Sequence, residues 1–195
     1  MKILLDPGHG ENTPGKRSPR WGDGAQLFEW EFNRQIVRMV ARGLQREGME
    51  TEIIVPETID IPLAERADRV NRIARREGKE RCLLVSVHAN AGGGTGWEAW
   101  TSIGQTSSDD YAEIFYRTAH RMLQPLGFPI RADRVDGDSD KESQFYILRK
   151  TLCPAVLTEN LFMDRERDCR FLLSKEGKRT IAELHIRALL KCCGR

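Results

Sequence analysis

The chain has 195 residues, of which 39% are hydrophobic and 31% are charged, and its 31 basic and 29 acidic side chains leave a formal net charge of +2. The hydrophobic fraction is too high for a disordered chain. The small net charge excludes the strong overall positive field with which many proteins bind nucleic acid. The length is typical of one folded domain, so we expect a single domain over residues 1–195.

The cysteines and the apolar runs exclude two further classes of protein. The five cysteines are an odd number without metal-ligand spacing, so a disulfide framework is not expected, and Cys82 and Cys153 are predicted core residues. The N-terminus reaches Asp6 after three apolar residues, and no run approaches the roughly 18 apolar residues of a membrane span. We therefore expect neither a secretory signal nor a membrane span in this chain.

Strands and helices are predicted from two patterns. Short apolar runs beside Gly or Pro predict strands, and apolar residues at every third or fourth position predict helices. In chain order these patterns predict strand 3–5, a helix from Phe28 that stops at Gly48, strand 51–55, a helix from Leu63 that ends near Gly78, strand 82–87, strand 97–101, helix 112–126, strand 145–148, strand 154–158, a short helix at 164–173 and a last long helix that contains residues 181–189. Polar stretches at residues 11–26 and 131–141 are predicted loops.

The order of these elements predicts the fold class. Strands alternate with helices, and the strands are apolar throughout rather than at every second position. Such strands belong to a mostly parallel sheet that is covered on both faces. We therefore expect a three-layer α/β fold.

Three of the apolar strands lead to an ionisable residue. These residues are His9, His88 and Glu159, and Glu29 opens the helix that follows the first strand. Ligand sites of open α/β sheets lie outside the carboxyl ends of the strands. We expect the four side chains to meet at that edge.

Two imidazoles and one carboxylate are a usual ligand set for catalytic zinc, and a second carboxylate is then free for acid–base work. This combination is typical of metal-assisted amide hydrolysis. Spacing alone does not tell whether Glu29 or Glu159 is the ligand. It also leaves open a structural explanation, because turn histidines often serve hydrogen bonding and a carboxylate in the first turn of a helix favours the helix dipole.

Four sequence blocks contain these residues. They are LDPGHG at 5–10, Glu29 with Asn33 four residues later, SVHAN at 86–90 and PAVLTEN at 154–160. Together, and in this order, the blocks resemble the zinc-dependent N-acetylmuramoyl-L-alanine amidases of the amidase-3 type. The resemblance covers nearly the whole chain.

The resemblance implies a role for each residue. His9, Glu29 and His88 would be the ligands of one Zn²⁺ per chain, and Glu159 would be the catalytic glutamate that activates water and protonates the leaving nitrogen. The implied fold has a six-stranded, mostly parallel sheet. The implied reaction cleaves the amide bond between N-acetylmuramic acid and L-alanine in bacterial peptidoglycan.

The resemblance also sets expectations for partners. The expected substrate is peptidoglycan or a muropeptide, and we expect no nucleic-acid partner and a monomeric protein. The expected place of action is the cell wall, in the periplasm or outside the cell, by an export route that the sequence does not identify.

The chain departs from the family pattern at two places. Residues 161–164 read Leu-Phe-Met-Asp rather than the frequent Gly-Phe-Ser-Asn type, and residues 96–98 match the family's glycine-x-glutamate strand only loosely. No long insertion separates His88 from Glu159. We therefore expect the regulatory helix with which some members block their zinc site to be missing.

The other histidines and the first long loop have less specific interpretations. His120 and His185 match no ligand block and are predicted packing or surface residues. The loop at 11–26, with Arg17, Arg20 and Trp21, either lines the substrate groove or is a surface loop.

Two rival functions stay open from the sequence. The first is a catalytically silent peptidoglycan-binding or activator module with the same fold, although retention of all four site residues argues against it. The second is a zinc peptidase that acts on other amides.

Overall fold

The computed structural model describes residues 1–134 and 137–195. In these ranges the chain forms six strands and six α-helices. The strands are β1 (Lys2–Pro7), β2 (Thr51–Ile53), β3 (Cys82–Asn90), β4 (Trp97–Thr101), β5 (Lys141–Glu142) and β6 (Ala155–Phe162). The helices are α1 (Glu29–Arg46), α2 (Leu63–Glu77), α3 (Ser107–Leu123), α4 (Tyr146–Lys150), α5 (Glu166–Leu173) and α6 (Lys175–Cys192).

The six strands form one mixed sheet in the order β2-β1-β3-β6-β4-β5. The first four of these are parallel neighbours, whereas β4 runs antiparallel to β6 and parallel to β5. The predicted six-stranded, mostly parallel sheet is therefore confirmed. Its register places Glu159 of β6 directly between His88 of β3 and Glu98 of β4.

Two apolar cores lie on opposite faces of the sheet. Ile3 and Leu5 of β1 join a core with α1, α3, α5 and α6, whereas Leu4 joins a second core with α2 and α4. Successive side chains of a strand point to opposite faces, so a strand that is apolar throughout supplies both cores. This arrangement confirms the predicted three-layer α/β fold.

One predicted strand is wrong. Residues 145–148 belong to the start of α4, where the amides of Leu148 and Arg149 donate to the carbonyl oxygen of Phe145. Consecutive Ile147 and Leu148 both pack into the second core, as a helix turn allows and a strand does not. A four-residue apolar run does not distinguish the two structures. The edge strand β5 begins at the last residue of the predicted loop at 131–141, of which residues 135–136 lie outside the described residues.

Two central strands are longer than predicted. β3 continues to Asn90 and β6 to Phe162, so His88 and Glu159 lie within paired strands rather than in the loops that follow them. Backbone pairing extends past the apolar runs because the ladder needs only peptide groups. The consequence is that both side chains project from a fixed register.

The five cysteines are free thiols, and Cys82, Cys153 and Cys169 are buried. The predicted core positions of Cys82 and Cys153 are therefore confirmed. Among the helices in the described ranges, none combines the length and the apolar character needed to cross a membrane.

Candidate metal centre

Three predicted site residues come together at the carboxyl edge of the sheet. His9 follows β1 by two residues, Glu29 is the first residue of α1, and His88 lies in β3, which pairs with β1. Phe28 precedes α1 in an extended conformation, so the helix begins with Glu29 directed at the sheet edge. The polypeptide thus brings residues from three elements to one point.

Their polar atoms lie close enough to share one ion. Glu29 Oε1 is 3.4 Å from His9 Nε2 and 3.1 Å from His88 Nδ1. The two imidazole rings are nearly perpendicular, with centroids 5.0 Å apart. One ligand atom from each of the three residues lies within 4.8 Å of the other two.

The backbone of His9 is held in an unfavourable conformation. Its φ of +61° lies in the left-handed region, which costs a residue other than glycine about 1–2 kcal/mol. Arg34 Nη1 and Arg66 Nη2 donate to the His9 carbonyl oxygen at 2.8 and 3.2 Å. Both arginines are buried. Their hydrogen bonds stabilise the turn that directs the His9 ring toward Glu29.

Glycines on either side of His9 make room for its neighbours. A Cβ atom on Gly8 would lie 2.1 Å from Cε1 of His88, and one on Gly10 would lie 2.0 Å from the backbone nitrogen of Asp60. The Gly-His-Gly sequence is therefore required by close packing on both sides of the turn. Asn33, one turn after Glu29, also anchors the turn, because its Nδ2 donates to the Gly8 carbonyl oxygen at 3.1 Å.

Burial and hydrogen bonding shift the pKa values of Glu29 and His88 in opposite directions. Burial disfavours the charged form of Glu29, but hydrogen bonds from His88 and His9 outweigh it and hold the pKa of Glu29 well below its usual range. Burial lowers the pKa of His88, but the hydrogen bond with Glu29 and the nearby charge of Glu159 outweigh this and raise it. The site therefore favours an ionised Glu29 carboxylate with a positive charge next to it.

The donor set fits a zinc ion. Glu29 Oε2 is buried and has no hydrogen-bond partner among the residues that the structure describes, which leaves a carboxylate oxygen available to a metal. Two imidazole nitrogens and one carboxylate oxygen are a common protein ligand set of catalytic zinc. The site chemistry thus agrees with the metal that the sequence suggests.

Glu159 lies beside this cluster and is not part of it. It is the register partner of His88 across the β3–β6 pair. Burial raises the pKa of Glu159 to about 7, while the charge of His88 acts in the opposite direction. Its Oε2 atom is buried without a hydrogen-bond partner in the described ranges. A carboxyl with such a pKa exchanges a proton readily near neutral pH.

Glu98 is a second buried carboxylate at the site, and the sequence analysis assigned it no role. It faces Glu159 across the antiparallel β4–β6 pair and is 1% exposed. Arg131 Nε and Lys141 Nζ donate to its Oε1, and Asn90 Nδ2 donates to its Oε2 at 3.1 Å. Glu98 thus anchors two basic side chains from its position opposite Glu159 in the sheet.

A family comparison agrees with this geometry. The family described as N-acetylmuramoyl-L-alanine amidase, of the amidase-3 type, matches residues 3–191 of the chain. The chain belongs to the amidase-3 family. The resemblance noted from the four sequence blocks is therefore confirmed.

Two curated proteins show the relationship of this amidase-3 chain to its family. It is 30% identical over 192 residues to the sporulation-specific N-acetylmuramoyl-L-alanine amidase of Bacillus subtilis (strain 168), covering 97% of this chain and 67% of that protein. It is 28% identical over 194 residues to the N-acetylmuramoyl-L-alanine amidase CwlM of Bacillus licheniformis, covering 98% of this chain and 68% of that protein. The chain thus spans about two-thirds of the length of each relative.

Solved structures share the fold. The N-acetylmuramoyl-L-alanine amidase from Clostridium difficile 630 superposes with a TM-score of 0.80 at 23% identity, covering 99% of this chain and 96% of that one. The amidase AmiC2 of Nostoc punctiforme gives a TM-score of 0.75 at 27% identity, covering 100% and 98%. The fold of this amidase-3 chain is therefore that of amidase catalytic domains.

Residues 161–164 of this amidase, which depart from the family's Gly-Phe-Ser-Asn type, have an unusual backbone conformation. Leu161 is fully buried and has a φ of +63°, so leucine stands in a left-handed conformation where the family type has glycine. Asp164 Oδ2 accepts hydrogen bonds from the amides of Gly92 and Gly93 at 2.7 and 2.8 Å. The altered block therefore still closes the loop that follows β3.

The remaining sequence predictions at this amidase site have mixed outcomes. His185 is fully buried and His120 is exposed, in agreement with packing and surface positions. Trp21 packs against the first core, whereas Arg17 and Arg20 are exposed. From the same loop the Lys16 carbonyl oxygen accepts from the amide of Glu29 at 3.0 Å, so the loop contacts the first residue of α1.

Proposed function

We propose that this chain is a zinc-dependent N-acetylmuramoyl-L-alanine amidase that cleaves the amide bond between N-acetylmuramic acid and L-alanine in peptidoglycan. The observation that carries the proposal is the convergence of His9, Glu29 and His88 beside a protonatable Glu159. The family and the names of its relatives support peptidoglycan as the substrate.

His9, Glu29 and His88 would hold the metal, with His9 Nε2 and His88 Nδ1 the nitrogens nearest to the Glu29 carboxylate. When bound, zinc supplies Lewis-acid chemistry that polarises a carbonyl oxygen and acidifies water. Strand β3, the first turn of α1 and the clamped His9 turn hold the three ligands in place without substrate. The protein therefore contributes a preorganised site rather than one assembled on binding.

Glu159 performs the proton transfers in this proposal. The oxygen of the attacking water bonds to the lactyl carbonyl carbon while Glu159 accepts its proton. The bond from that carbon to nitrogen then breaks, and Glu159 returns the proton to the nitrogen of L-alanine. Burial of Glu159, which raises the pKa of its carboxyl, favours acceptance of the proton from water.

The substrate fixes where the proposed enzyme works. Peptidoglycan lies outside the cytoplasmic membrane, so we propose action on the cell wall, in the periplasm or outside the cell. We also retain the prediction of a single domain over residues 1–195 and that of a monomer, of which size-exclusion chromatography with light scattering tests the second.

The test compares the parent protein with Glu159→Gln on purified peptidoglycan. Glutamine matches glutamate in shape but does not exchange a proton, so we expect zinc content to be kept and release of stem peptide to fall by about 100-fold or more. The control is Glu183→Gln, which changes an exposed glutamate on α6 and should leave the rate unchanged.

Product analysis separates the proposal from its rivals. Mass spectrometry of the released material should find peptides with a new L-alanine amino terminus. Another new amino terminus would indicate a peptidase, and binding without release by the parent would indicate a silent module. Equal rates for Glu159→Gln and the parent would contradict the role given to Glu159.

A further inference from the structure

A buried chain of hydrogen bonds leads away from the back of the His88 ring. Ser86 precedes His88 by two residues in β3, so both side chains project from the same face of the sheet. Ser86 Oγ is 3.2 Å from His88 Nε2 and 2.7 Å from Asp6 Oδ2. Ser86 is fully buried and Asp6 is 1% exposed, so water does not replace these partners.

The available protons decide the direction of each bond. The Asp6 carboxylate only accepts, so the single hydroxyl proton of Ser86 is donated to Asp6. Ser86 Oγ must then accept from His88, which places a proton on His88 Nε2. The other ring nitrogen, Nδ1, faces Glu29 Oε1 at 3.1 Å. The network thus protonates the nitrogen that points away from the metal cluster.

Arg66 fixes the far end of this chain. Its Nη1 donates to Asp6 Oδ1 at 2.7 Å and to the Pro7 carbonyl oxygen at 2.8 Å. Its Nη2 donates to the His9 carbonyl oxygen at 3.2 Å. One buried guanidinium therefore connects the carboxylate that orients His88 with the turn that carries His9.

We propose that Ser86 and Asp6 are positioning residues that orient His88, keeping its Nε2 protonated and its Nδ1 directed at the metal cluster. The zinc part of this inference rests on the proposed function, whereas the hydrogen-bond part does not. A second layer of this kind fixes the orientation of a ligand imidazole and increases its basicity. Neither residue touches the substrate or the reacting atoms in this account.

The first test measures zinc affinity of Ser86→Ala by competition with a chromophoric chelator. Loss of the acceptor for His88 Nε2 should weaken zinc binding by about 10- to 100-fold, the range for second-layer partners. The matched control is Ser108→Ala, which removes a buried serine hydroxyl that accepts from the amide of Ala155, the first residue of β6. That variant should keep the parent affinity, even where urea denaturation shows lower stability.

The second test observes the ring proton directly. In a proton–nitrogen correlation spectrum of zinc-loaded protein labelled with ¹⁵N-histidine, His88 should show a slowly exchanging N–H at Nε2. Ser86→Ala should lose its protection from exchange. His185 is an internal reference for the other tautomer, since its Nδ1 is 2.8 Å from the Ile181 carbonyl oxygen and must donate to it.

The outcomes separate this inference from the proposed function. Unchanged zinc affinity in Ser86→Ala, or a His88 proton on Nδ1, overturns the positioning role. A parent protein that binds zinc with the expected His88 proton but releases no stem peptide supports the positioning role and overturns the proposed reaction. A parent that binds no zinc overturns the metal centre and, with it, the predicted effect of Ser86 on affinity.

Discussion

Replacement of Gly8 by alanine tests whether the His88 ring depends on close packing against the Gly-His-Gly turn. The added Cβ would lie 2.1, 2.4 and 2.5 Å from Cε1, Nδ1 and Nε2 of His88. Because ordinary van der Waals contact begins near 3.4 Å, the ring must move by about 1 Å or the turn must shift. Overpacking of this kind costs about 1–3 kcal/mol of stability.

The same displacement should damage function more than stability. Metal ligands tolerate errors of about 0.2 Å, and a misplacement of about 1 Å costs roughly 100-fold in rate. We expect Gly8→Ala to release stem peptide about 100-fold more slowly and to bind zinc more weakly. Gly22→Ala is the control, because nothing lies within 4 Å of its added Cβ. Equal activity of Gly8→Ala and Gly22→Ala would refute the packing argument.

Two predictions concern buried ionisable side chains. Burial lowers the pKa of His185 to about 4, so the unfolded chain takes up a proton below about pH 6.5 before the folded protein does. The free energy of unfolding of the parent, measured by urea denaturation, should therefore fall by about 3 kcal/mol relative to that of His185→Gln as the pH drops from 6.5 to 4. Arg66→Met leaves the Asp6 carboxylate buried without its cation, and the free energy of unfolding should fall by about 3–5 kcal/mol. A loss below 1 kcal/mol would contradict that pairing.

The location of the cluster is predictable from sequence because its histidines follow apolar strands, whereas the choice of Glu29 over Glu159 as the ligand came from the family resemblance. His88 directly follows one apolar run, His9 comes four residues after another, and parallel strands present their carboxyl ends at the same edge. Glu29 opens an amphipathic helix whose stripe is regular over four turns. Fold class and site location therefore follow from periodicity and from the polarity change at strand ends.

The groups that orient this cluster are not predictable in the same way. Asp6 and Ser86 are 80 residues apart, and their contact depends on the register of β1 against β3. Arg34 and Arg66 lie on separate helices and resemble ordinary surface arginines in sequence. A weak signal does exist at Ser86, because a polar residue in an apolar strand, on the same face as His88, requires a buried partner.

The wrong predictions of secondary structure have a similar cause. Residues 145–148 are apolar in either structure, and only their packing against α2 decides for helix α4. The edge strand β5 has two polar residues, since an edge strand needs little apolar surface. The sequence patterns indicate no role for Glu98, because it matters only as the residue opposite Glu159. The antiparallel register of β4 against β6 determines that position.

The central claim is that His9, Glu29 and His88 hold a zinc ion on which peptidoglycan cleavage depends. The most direct measurement is the rate of stem-peptide release by protein stripped of divalent metal, before and after addition of one equivalent of Zn²⁺. We predict no release from the stripped protein and full recovery with zinc. Full release by the stripped protein, verified metal-free by elemental analysis, would contradict the claim.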